Sequence, residues 1–492
     1  MKALIENRFG LLTLVLVALG ALYGVAFVSR PAPVQEKPAQ KVRAAVESVS
    51  MVCPDPGGGR LNVVTPPVEQ TGQGGQSAQG GGAATVAQMK GGKPLATLDR
   101  VGGLWRQDVP LRTRPVTVAG MGTMAAGLEA AQTTRVASGA QRGLSGVRCV
   151  EPGAEAWFIG PGPAAADVTL HVANADVAPA DVAVMIYAGE GPVLSDRGNG
   201  MVIKPGEYRE VKLRDLAPSP LVMAVQVTTD GGRVAAAIRA SLGEGKGVDW
   251  LPVATPPSTR VVVPGLPGSA GQRELYVATP GERDTVVQVK AVLKDGSYAL
   301  KNKETVEVPA GSTTTLDLTT GVGGQAGALV LTSDEPIVAG MRMTGTGSRQ
   351  DAAFTAGAAP IDLGSVVADG GPGKKSAKGG GKQESRLVLS APFGAATVRV
   401  RILPQDGAPA APVEVRLPAA RSKEIKLKAP AGAGSGFAVH IVPVPGSGPV
   451  YGGRVLSEET GEGVLLTAQP LAQARTWALV PATSEWPGVV LP

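Results

Sequence analysis

Over most of this 492-residue chain, apolar and polar positions alternate in short runs. TLHV (169–172), VVQVKAV (286–292) and VRVRI (398–402) are typical: valine-rich, of period two, and bounded by Gly, Pro, Asp or Asn. That pattern predicts half-buried β-strands, and no sustained helical periodicity competes with it. The exception is Phe9 to Val28, an uncharged run of twenty residues. At about 1.5 Å per residue it is long enough to cross a hydrocarbon layer of about 30 Å. Lys2 and Arg8 before it outnumber Glu6, which orients the N-terminus to the cytoplasm and sends the remainder out. A signal peptide cleaved after Ala26 is the competing reading, and both imply export.

The strands recur as a group. VIKPGEYREVKL (202–213), EVPAGSTTTLDL (307–318) and RLPAARSKEIKL (416–427) share an apolar start, a turn, a polar stretch and an apolar-x-Leu strand. Their closing leucines, Leu213, Leu318 and Leu427, lie 105 and 109 residues apart. Each is followed by a segment that reads as a hairpin returning through a small residue, Ala236, Gly340 or Gly453. AWFIGPG from Ala156, ELYVATPG from Glu274 and RLVLSAPFG from Arg386 read as matching openings, which makes Trp157 the counterpart of Leu275 and Leu387 in a core. MGTMAAGLEAAQ (121–132) extends the series to a degenerate first copy.

The expectation is an all-β chain of tandem immunoglobulin-like β-sandwich repeats after a single N-terminal transmembrane helix. Its parts are a cytoplasmic N-terminus (1–8), the helix (9–28), a Pro/charged stalk (29–45), a degenerate repeat (46–149), repeats at 150–260 and 261–368, a basic Gly/Lys-rich loop (369–384), and a last repeat (385–492). TGQGGQSAQGGG (71–82) reads as a second loop. A length of 492 residues requires such division, because one core stops growing beyond about 250–300 residues.

Composition refines the picture slightly. Glycine (68) and proline (41) make about a fifth of the chain, below the level of a disordered one, and 43 % of residues are apolar. Lys and Arg exceed Asp and Glu by 47 to 41, but the signs are interspersed, so no stripe fits nucleic acid. Cys53 and Cys149 both follow the apolar run and form the minimum set for one disulfide in an oxidising compartment, two buried thiols being the alternative.

Candidate chemistry is sparse. The glycines and lysines of 370–382, including Lys374, Lys375, Lys378 and Lys382, lack the spacing of a phosphate loop and fit a solvated linker or a basic loop touching anionic polymers. His171 and His440 sit inside predicted strands without a nucleophile elbow, and they share no short ligand spacing with the cysteines for a metal. Catalytic, cofactor and metal residues are therefore assigned to none. Of the five tryptophans, Trp477 matches Arg260 in an interdomain strand, while Trp105, Trp250 and Trp486 stay open as aromatic platforms for sugar.

The early VCPDPGG (52–58), the later CVEPGAEAWFIGPG (149–162) and the tandem Val/Ala/Gly-rich strands resemble the actinobacterial domain-of-unknown-function 5719 family of secreted proteins. The resemblance spans most of the chain beyond the anchor. It implies a cell-envelope protein of unassigned activity, with no catalytic residues to carry over. The functional expectation is a non-catalytic envelope scaffold or interaction protein, held at the membrane by its helix or released if cleaved near Ala26. A polysaccharide- or wall-polymer-binding accessory of glycan assembly is the alternative, and a hydrolase a minor one. Envelope proteins or glycans are the expected partners, with no nucleic acid and no small-molecule cofactor.

Overall fold

The computed structural model describes residues 8–28, 42–55, 57–67, 81–91, 93–110, 114–269, 271–372, 381–406, 408–431, 433–434 and 436–480. The stalk at 30–41, most of the 71–82 tract, Lys374, Lys375, Lys378 and Trp486 lie outside them. Apart from the helix α1, Arg8–Val28, the regular structure of the described chain is strand with a few single-turn helices. The chain divides into two compact units, 1–44 with 479–492, and 45–478. In the first, α1 is apolar from Gly10 to Val28, and its side chains from Leu11 onward are exposed.

Within 45–478 one strand order occurs four times, over 48–148, 155–251, 258–356 and 365–470. Numbered along the chain inside each stretch, and setting aside the extra short strands Met201–Ile203 and Thr305–Val308 that pair with the third strand of the second and third stretches, one sheet runs 1-6-3-4 and the other 5-2-7-8, with every pairing antiparallel. The alternation seen in the sequence is the cause. In Ala180–Ala188 and Thr285–Val292 every second side chain is buried, so each sheet has one apolar face to cover. The two sheets of a stretch cover each other, as Val49, Val118, Leu61 and Ala130 do in the first core and Leu387, Leu389, Val398 and Val439 in the last.

The segments read as hairpins behave differently. Strands six and seven pair in different sheets, so the turn between them crosses the sandwich; in the third stretch Gly327–Thr344 runs unbroken from one sheet into the other. The matched openings are also out of step. Glu155–Pro161 is a first strand, whereas Arg273–Ala278 and Lys382–Ala391 are second strands. Trp157 is therefore no counterpart of Leu275 and Leu387; it packs with Tyr276, Ala278 and Val338 between the second and third sandwiches. Periodicity identifies a strand without giving its place in a sheet. The last sandwich starts earlier than 385 for the same reason. Ser365–Pro372 is its first strand and Lys382–Ala391 its second, so strands enter both ends of the expected 369–384 loop. A register shift between Val367 and Gly371 carries the Gly-rich end onto Phe437.

A linear row of domains is not what forms. The last strands of the four sandwiches are β1 (Gly143–Arg148), β2 (Val248–Leu251), β3 (Ala352–Ala356) and β4 (Gly463–Pro470). β1 packs on β2, β2 on β3, β3 on β4, and β4 again on β1, closing a ring. Small residues permit the approach: a Cβ at Gly340 would lie 2.7 Å from the Ile159 side chain of the neighbouring sandwich. The first and last sandwiches are joined by the Arg135–Glu458 pair, at 2.5 and 2.7 Å, with Glu458 fully buried.

Candidate functional site

The centre of the ring is built around one side chain. Asp351, immediately before β3, is fully buried, and its carboxylate accepts a backbone N–H from each of the four sandwiches. Leu144 and Leu466 donate to Oδ2 at 2.8 and 2.9 Å; Ala352 and Val248 donate to Oδ1 at 3.0 and 3.3 Å. Burial pushes its pKa up to about 7 against the pull of these donors. Gly247, at φ +97°, is required beside it, since a Cβ there would come within 2.4 Å of Oδ1. Asp249 repeats the device one layer away, accepting N–H from Gly146 and Trp250 at 2.9 Å each, and burial raises its pKa well above the usual carboxylate range.

Next to this hub lie two chambers. The inner one, about 240 Å³, draws walls from the first, second and fourth sandwiches and from the 357–359 segment that follows the third, with Val147, Phe158, Trp250, Gly357 and Leu471 among them. The outer one, about 580 Å³, is bordered by Arg148, Glu151, Glu155 and Arg475. They share Arg148, Val150, Ala236, Val253, Ala472 and Gln473, so the two adjoin at a neck of common lining residues. The charges there are paired. Arg148 grips the buried Glu129 with two bonds of 2.7 Å, and Arg475 Nε sits 2.8 Å from Glu151. Glu155 accepts from Trp157 Nε1 at 2.8 Å and Gln226 Nε2 at 2.9 Å. On the inner side Gln469 Nε2 is buried with no hydrogen-bond partner among the described residues.

The cysteines are joined as Cys53–Cys149, a bridge spanning 96 residues. Cys149 directly follows β1 and borders the outer chamber, so the bridge pins the neck to the first strand of its sandwich. Trp250 is 5 % exposed and lies in the wall between sandwiches, where no exposed sugar platform can form. Trp105 is half-buried against the core of its own sandwich, and Trp477 borders the outer chamber. His171 is buried under Trp250, ring centroids 5.0 Å apart. Its Nδ1 contacts Tyr208 Oη, which donates to Glu210 at 2.9 Å, and burial lowers its pKa to about 4, leaving it neutral. His440 is buried in a different sandwich. Lys382 is exposed and 3.3 Å from Glu384. Among the described residues no group of three or more His, Cys, Asp or Glu is placed to hold a metal.

Sequence reasoning found the cysteines and missed the hub and the chambers. Asp351 sits in a run of small residues, RQDAAFTAGAAP, with no motif around it. The available signal was a cluster of Ala and Gly where strands elsewhere carry valine, which indicates close approach of backbones.

Together these features define an all-β protein with one N-terminal apolar helix and two adjoining cavities lined by three of its strand groups. The sequence matches the family described as a family of unknown function (DUF5719) over residues 106–428, and the chain belongs to that family. No curated protein matches it. Among solved structures, the crystal structure of Thermotoga maritima 1070 is similar at 14 % identity and TM-score 0.18, over 20 % of this chain and 93 % of that one. A Streptomyces avermitilis alpha-L-rhamnosidase complexed with L-rhamnose is similar at 10 % identity and TM-score 0.11, over 80 % of this chain and 53 % of the other. Neither carries an argument about fold or activity at those scores.

Proposed function

We propose that the protein is a non-catalytic binding scaffold of the cell envelope, held on the outer side of the membrane by α1, with four immunoglobulin-like sandwiches packed together beside a ligand cavity. The observation that carries this reading is the pair of adjoining chambers lined by the first, second and fourth sandwiches and the segment that follows the third. A pocket lined by several copies of a repeated unit is a use of the closed ring that a chain of spacers would not need. The apolar helix supports the location, and the Cys53–Cys149 bridge suits an oxidising compartment. The partner is an envelope protein or glycan; the buried Trp250 gives no support to an aromatic sugar platform.

Two measurements on the full chain in intact cells test the reading. A membrane-impermeant lysine label should reach the β body, and N-terminal sequencing should start at Met1 and not near Phe27. Failure of the label to reach the body in unbroken cells sinks the extracytoplasmic assignment, and a start near Phe27 replaces tethering by secretion. Turnover of a glycan or peptide by the purified chain would refute the non-catalytic reading.

A further inference from the structure

We infer that the two chambers bind an amphiphile with a single short apolar chain and an uncharged, hydroxyl-bearing head. The inner chamber supplies the chain site. Its walls are aliphatic and aromatic, from Val147, Phe158, Ala237, Trp250, Leu251 and Leu471. At roughly the volume of one water per methylene, its 240 Å³ holds a chain of about eight carbons.

The outer chamber supplies the head site, and its electrostatics select the head. Each guanidinium at the neck and rim is already matched by a carboxylate, Arg148 by Glu129 and Arg475 by Glu151. A charged head therefore meets a like charge beside every opposite one. Hydroxyl groups, which donate and accept, suit both members of such pairs. Glu155 adds a carboxylate held among the described residues by two neutral donors, which tilts the rim further against an anion. The buried Gln469 Nε2 offers one unused donor on the inner side, suited to an ether or hydroxyl oxygen where chain and head join. This inference rests on the binding reading above and is independent of whether α1 is retained.

The probe is an octyl β-glucoside bearing a diazirine in its alkyl chain, photolysed with the full-length protein in membrane vesicles, with adducts mapped by peptide mass spectrometry. Labelling of α1 reports ordinary partition into the bilayer and serves as the internal control. The expected result is a second, saturable set of adducts on residues 146–150, 236–255 and 469–473, displaced by unlabelled octyl glucoside. Affinity should rise roughly fourfold per added methylene from hexyl to octyl and then level off, because the chamber is full. Octanoate and octyltrimethylammonium should compete at least tenfold less well.

Ala472→Phe, at the half-buried neck, and Val253→Trp, at an exposed position of the same neck, should abolish the chamber adducts and leave those on α1. Thermal unfolding of both variants checks that the body remains folded. Adducts confined to α1, or undiminished in both folded variants, overturn the site. Equal competition by octanoate or the ammonium overturns the head assignment. Failure of the export assay with the chamber adducts intact would fall on the location alone.

Discussion

Replacing Asp351 by Ala removes a group that all four sandwiches share. Its carboxylate satisfies the N–H groups of Leu144, Val248, Ala352 and Leu466. An unpaired buried donor costs about 1–3 kcal/mol, so four give about 4–12 kcal/mol. Two effects reduce that figure. Water admitted to the vacated space re-pairs some donors, and the strain of keeping a buried carboxyl ionised near neutral pH, on the order of 4 kcal/mol for a pKa of about 7, is relieved. A net loss of about 3–5 kcal/mol remains, in the range for breaking a buried, hydrogen-bonded charge. Urea unfolding followed by circular dichroism measures it. Amide hydrogen exchange adds a local readout: the four N–H groups, one per sandwich, should exchange faster together in the variant while the cores of the sandwiches stay protected. A shift below about 1 kcal/mol, with those amides as slow as in the parent, would refute the idea that this carboxylate holds the ring.

The same group makes stability depend on pH. Its folded pKa lies above the ordinary carboxyl value, so the folded state holds the proton longer; its contribution is complete below about pH 4 and is lost as pH rises through about 7. Buried Asp249 acts in the same direction, and urea midpoints for the parent should fall across that window more steeply than for Asp351→Asn. Reduction, or Cys53→Ser with Cys149→Ser, should cost about 4–5 kcal/mol for a loop of 96 residues in the chain-entropy estimate, read as a lower Tm; an unchanged Tm would show that the ring alone restrains the first sandwich. Gly340→Val should cost about 1–3 kcal/mol, because the new side chain meets Ile159 across the joint between the second and third sandwiches. A calorimetric scan showing no destabilisation would mean that this joint yields.

The strands were legible because each sheet buries one face, and that fact alone writes period two into 180–188 and 285–292. The helix and the pair of cysteines were legible because their chemistry is local or compositional. Strand order was not. AWFIGPG and ELYVATPG look alike because both are apolar strands ending at a turn, yet one is a first strand and the other a second. The joint between sandwiches was hidden for a different reason. It uses Ala, Gly and backbone N–H groups, which carry no pattern, and it gathers residues as distant as Leu144 and Leu466 on one carboxylate. The cavity follows from that joint and was equally out of reach.

Ring closure also limits how this architecture can grow. An open array gains or loses copies at its ends, since each copy touches only its neighbours. Here the fourth copy returns to the first, and the carboxylate at the axis offers about four lone-pair positions, each already taken by one copy. A fifth would break the contact between β4 and β1 and arrive with an N–H that finds no acceptor. Duplication of a single copy is therefore a dead end for this body, and its copy number is fixed by the valence of one aspartate.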